Sequence, residues 1–115
     1  MRKRPFLLHT RLLFWADGMT IAPWLVLVHP RARGDRGLIA HESVHCEQMR
    51  RTGTVKFWLL YLLSRRFRLA CEVEAYRESL RHHEGGLRYF ARHLAEGYFL
   101  GITADEAERL LINGV

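Results

Sequence analysis

Apolar and polar positions alternate in short runs near the start of the chain and settle into helical spacing from about residue 36 onward. The runs RLLFW (11–15) and WLVLV (24–28) are rich in aromatic and branched residues, and ADGMTIAP between them carries a turn signal at Asp17-Gly18. Two or three short strands are expected in this region. Pro23 offers no amide donor, which suits WLVLV to a sheet edge, or Pro23 to a strand's first residue, better than to a central strand.

Beyond the loop HPRARGDRG, Asp35 is placed to cap a helix from about Arg36 to Arg51, which RTGT then breaks. VKFWLLYLLS reads as a second helix, largely buried because its apolar residues run on without a polar face. From about Arg66 to His83 the pattern is clearly amphipathic, and Gly85-Gly86 ends it. LRYFARHLAEGYFL predicts a fourth helix, and Thr103 with Glu106 makes a capping box ahead of the last one, DEAERLLI. A strand region followed by about five helices is an α+β arrangement. At 115 residues, with no composition shift and no repeat, one domain over 1–115 is expected.

Hydrophobic residues make up 49% and charged residues 26%, which excludes the disordered classes. The net charge of +6 is almost wholly arginine, since Lys3 and Lys56 are the only lysines among 18 basic residues. The arginines are scattered along helical segments, a pattern of solvated faces, and no nucleic-acid motif accompanies them, so no specific nucleic-acid partner is expected. Cys46 and Cys71 fall inside helical segments and are expected to be reduced and structural. The basic start resembles a signal peptide, but His9 and Arg11 interrupt its apolar part, so no export and a cytoplasmic location are expected. FWLLYLL (57–63) is too short for a transmembrane helix, which needs about 20 residues. KFWLLYLLSRRFR (56–68) also allows a peripheral membrane contact, although its unbroken apolar run favours burial.

The stretch HESVH (41–45) changes the picture. On a helix, positions i and i+4 face the same way, so His41 and His45 can both turn an imidazole nitrogen toward one ion. Glu42 lies about 100° around the axis, where it reaches a water on that ion. A random shuffle of this composition produces HExxH about 3% of the time. The motif therefore needs a third ligand, since catalytic zinc takes three protein ligands and a water.

LACEVEAYRESL (69–80) supplies the candidates. With Leu69 at zero on a helical wheel, Val73, Tyr76 and Leu80 fall at about 40°, 340° and 20°, with Glu72 at about 300° and Glu74 at about 140°. Glu72 borders the apolar stripe, and Glu74 faces solvent. A carboxylate turned toward a core is costly without a charge partner or metal, which makes Glu72 the preferred third ligand.

HESVH followed by EVEAY resembles the gluzincin metallopeptidases, in which HExxH and a glutamate on a later helix bind zinc, often with ExxxD around that glutamate. The resemblance spans residues 24–83 and implies a zincin-like fold, zinc held by His41, His45 and Glu72, and Glu42 as the general base of peptide hydrolysis. Tyr76 stands where the family has Asp, either as a partner for a ligand histidine or as core. The family's substrate-binding edge strand corresponds to WLVLV, and the short chain looks like a minimal version of the family. Tyr61, His82, His83 and His93 are candidates by chemistry alone for stabilising the tetrahedral intermediate.

The expected activity is thus that of a zinc metallopeptidase acting on a peptide or protein substrate. The alternative is a catalytically silent domain in which the same ligands staple the helices and the arginine-rich surface binds a partner.

Overall fold

The computed structural model describes residues 4–82 and 86–115; His83 and Gly85 lie outside them. A three-stranded sheet is followed by five helices, so the α+β architecture stands. The strands are β1 (Phe6–His9), β2 (Gly18–Ala22) and β3 (Leu25–Val28), in the order β1-β3-β2. β3 pairs in parallel with β1, from Phe6 opposite Leu25 to His9 opposite Val28, and antiparallel with β2, from Gly18 opposite Val28. A bulge at Ile21 shifts the β2 register between Thr20 and Ala22.

Two strand expectations are corrected. RLLFW is not a strand: it carries the chain from β1, at one edge, to β2, at the other, so no strand lies beside it to pair with. Leu13 alone of this run points fully inward, while Leu12, Phe14 and Trp15 are exposed. WLVLV is not an edge strand either, because β3 is central. Pro23 and Trp24 form the two-residue turn of the β2–β3 hairpin, where a missing amide donor breaks no ladder hydrogen bond. The strand beside the first helix is β2.

That helix, α1 (Arg36–Thr52), begins where the Asp35 carboxylate accepts the Leu38 amide at 3.1 Å. It ends at Gly53, whose φ of 95° is open to glycine and strained for other residues. Gly53 passes directly into α2 (Thr54–Leu63), and Ser64 then caps α3 (Arg65–Leu80) through the Phe67 amide at 3.1 Å. α4 (Leu87–Gly97) and α5 (Ala104–Asn113) follow, the latter opened by the expected Thr103–Glu106 capping box.

Ser79 donates to the Gly37 carbonyl near the start of α1, and Gln48 donates to the Cys71 carbonyl near its end, which fixes α1 and α3 as antiparallel neighbours. Val73 and Tyr76 of α3 pack with Ala91, Leu94, Ala107 and Leu111 of α4 and α5. Val26, Val28, Ala32 and Cys46 join the sheet to α1, while Met49, Phe57 and Cys71 join α1, α2 and α3. The metal-site candidates lie between these clusters.

α2 is less buried than its composition suggests. Phe57 is its one fully buried residue, and Val55, Leu59, Leu62 and Leu63 are exposed. Among the described residues, no helix is long and apolar enough to cross a membrane.

Candidate metal centre

The 3.6-residue repeat of α1 brings His41 and His45 to one face, with their Nε2 atoms 3.2 Å apart. Both are buried, as is Glu42 between them, and the three side chains offer donor atoms within 4.8 Å of one another. They form a buried group with the composition and spacing to hold a metal ion.

α3 brings a fourth residue to the same point. Glu72 is 2% exposed; its Oε1 lies 3.1 Å from His41 Nε2 and its Oε2 3.2 Å from His45 Nε2. The Glu42 carboxylate stands farther off, with Oε2 3.9 Å from His41 Nε2. Ligands about 2.0–2.1 Å from a tetrahedral zinc stand about 3.3 Å apart. The separations of 3.1, 3.2 and 3.2 Å among His41, His45 and Glu72 approach that value. Glu72 Oε1 has its contact with His41 Nε2 but no aligned hydrogen bond, and His41 Nδ1 likewise has none. A buried carboxylate oxygen beside two imidazole nitrogens, with no aligned hydrogen bond of its own, is chemistry that an ion between them would satisfy.

Electrostatics agree with that geometry. Burial pulls the His45 imidazole down, but the charge and hydrogen bond of Glu72, with Glu42 and Gln48 behind them, outweigh it and leave the pKa at about 9. Burial pushes the Glu72 carboxyl up, yet His45 and His41 overcome this and hold it well below the usual carboxylate range. Without an ion, the pair is therefore a buried imidazolium–carboxylate contact.

Three further residues orient the group. Gln48 Nε2 donates to the Cys71 carbonyl at 3.0 Å and to Glu74 Oε1 at 2.7 Å, which turns its Oε1 to His45 Nδ1, 2.8 Å away. His45 then carries a proton on Nδ1, which leaves Nε2 as the nitrogen turned toward Glu72 and available to an ion. Thr20 Oγ1, on β2, lies 2.9 Å from Glu42 Oε1 and 3.0 Å from the Glu42 carbonyl. Tyr61, from α2, donates to Glu72 Oε2 at 2.5 Å. Burial first, and then the Glu72 charge, raise the Tyr61 pKa and keep the hydroxyl protonated.

Of the four residues singled out as possible stabilisers of a tetrahedral intermediate, Tyr61 alone is shown at the site. His82 is exposed just beyond α3, His93 packs its ring at a tilt against Tyr89 in α4, and His83 falls outside the described residues. Tyr76 packs its ring 4.3 Å from His41, but its hydroxyl pairs with that of Tyr98 at 2.6 Å rather than with a histidine. Glu74 is half exposed and bonds Gln48 and Arg51, in keeping with its surface placement. Thr20 and Gln48 are site residues that the sequence reasoning missed: Thr20 reaches Glu42 across 22 residues and belongs to no spacing pattern, whereas Gln48 stands three residues beyond His45 on α1, a helical spacing that could have signalled it. Compared with protein-family models, curated proteins and solved structures, the chain matches none.

Proposed function

We propose that the protein is a zinc-dependent metallopeptidase, with zinc held by His41, His45 and Glu72. The observation that carries this is the convergence of three mutually close donors from two helices, with Glu42 beside them. Tyr61 holds Glu72 Oε2, so that Oε1, which has no aligned hydrogen bond, is the oxygen left for the ion. When bound, zinc would supply Lewis acidity toward the scissile carbonyl and toward a water. Glu42 takes the proton of the attacking water and returns it to the leaving amine as the peptide bond breaks. The Thr20 hydroxyl holds one oxygen of the Glu42 carboxylate, which leaves Oε2 toward the histidines for that transfer.

An extended peptide would be laid along β2, the edge strand whose Thr20 touches Glu42. A cytoplasmic location is proposed on the two buried, unpaired thiols, Cys46 and Cys71. The kinship proposed with gluzincins rests on HESVH and the placement of Glu72, and on nothing else in the chain.

The deep burial of all four residues favours a second reading, in which zinc staples α1 to α3 without turnover. One comparison separates the two. Glu42→Gln should keep fold and zinc while peptide-library cleavage falls about 10²- to 10⁴-fold, the usual loss on removing a general base. No cleavage by either protein with zinc fully bound would leave only the staple, and equal cleavage by both would overturn Glu42 as the general base.

A further inference from the structure

The exposed leucines of α2 have no role in the metal site. Val55, Leu59, Leu62 and Leu63 are 74%, 55%, 67% and 83% exposed, and their spacing places them within about 100° of arc on one side of the helix. The opposite side is occupied by Phe57, Trp58 and Tyr61, which face α1 and α3. An apolar stripe turned to solvent beside an apolar face turned inward leaves α2 without a polar side of its own.

A second feature meets this stripe at its end. Phe99 is 93% exposed and has φ of 54°, a left-handed conformation rarely adopted by a bulky side chain. The Arg68 guanidinium gathers the carbonyl oxygens of Tyr61, Tyr98 and Phe99 at 2.7, 2.8 and 3.4 Å, tying the Phe99 turn to the last turn of α2. Arg65 lies against Gly101 in the same loop. A strained backbone that holds an aromatic ring in water, fixed by a buttressing arginine, points to a surface that meets something apolar.

The charge around the stripe says what that is. Between Glu47 and Glu72 the chain carries Arg50, Arg51, Lys56, Arg65, Arg66 and Arg68 and no acidic residue. We propose that the exposed face of α2, continued by Phe99, docks on an anionic lipid surface, with leucines in the acyl boundary and Lys56, Arg65 and Arg66 among the headgroup phosphates. A second copy of the chain would press these same cations against each other. Nucleic acid would offer phosphate to the cations but little to three leucines and a valine. The proposal goes beyond the peptidase reading and does not depend on it.

Flotation of the full chain with phosphatidylcholine vesicles, with and without phosphatidylglycerol, tests this. Binding should require the anionic lipid. The double substitution Leu62→Ser with Leu63→Ser, Phe99→Ser, and the double reversal Arg65→Glu with Arg66→Glu should each weaken it at least about tenfold. Ile112→Ser, at an exposed apolar position on α5, should leave it unchanged. Helix content and bound zinc of every variant should equal the parent's, which separates a failure here from a failure of the metal site. Absence of vesicle binding, equal binding to neutral vesicles, or full binding by the leucine variant would overturn the proposal. So would a solution dimer that the leucine variant dissociates.

Discussion

Glu72 and Glu74 stand two residues apart on α3 and live in opposite surroundings, one 2% exposed between two imidazoles and the other half exposed beside Arg51. That difference was legible in the sequence, because a helical wheel needs only the positions of Leu69, Val73, Tyr76 and Leu80 to fix which way each carboxylate turns. Tyr61 could be named for its chemistry but not placed, since its contact with Glu72 depends on how α2 folds back over α3. The His45–Glu72 contact has a consequence for pH. In metal-free protein the His45 pKa is raised to about 9 from its ordinary 6.5, so its stabilisation is fully present below pH 6.5 and lost as pH rises through 9. Glu72, held low, stays ionised across that window. Urea unfolding of chelator-treated protein should show stability falling by up to about 3 kcal/mol between those pH values. Zinc-loaded protein should lack that fall, because binding has already displaced the proton. Stability of the metal-free form that is flat or rising would place the proton elsewhere.

At the scale of elements, the sequence carries the helix boundaries more plainly than the sheet order or the burial of α2. α1 and α5 announce themselves through Asp35, Gly53 and the Thr103–Glu106 box, which are local signals. Pro23 suggests an edge position for WLVLV, yet β3 is central, because a proline next to a strand leaves open whether it lies within the ladder or in the turn, and only the pairing decides. α2 was read as buried because an unbroken apolar run has no stripe to show which side faces in. Gly53 joins α1 to α2 and so sets where Tyr61 arrives. Nothing lies within 4 Å of a Cβ built there, so Gly53→Ala should incur backbone strain alone. A loss of about 1–3 kcal/mol in urea unfolding is expected, together with weaker zinc binding as Tyr61 shifts from Glu72. Unchanged stability would mean that the α1–α2 joint does not need its positive φ.

On the scale of the whole molecule, a charge of +6 spread over helix faces should attract nucleic acid weakly and without sequence preference. Binding to duplex DNA, followed by fluorescence anisotropy, should decline steeply as salt rises, and a tight sequence-selective complex at physiological salt would favour a binding module instead. The fold brings the proposed site together in a small chain. α1 carries the two histidines and Glu42, α3 returns antiparallel to carry Glu72, the proposed third ligand, and β2 and α2 supply Thr20 and Tyr61 beside the two carboxylates. The proposed site depends on Glu72. Zinc titration against a competing chelator at one pH, on the intact protein, Glu72→Ala and Glu74→Ala, measures this directly. One zinc per chain in the intact protein and Glu74→Ala, with strong loss of affinity in Glu72→Ala, is the predicted result; loss in Glu74→Ala with zinc retained in Glu72→Ala would contradict it.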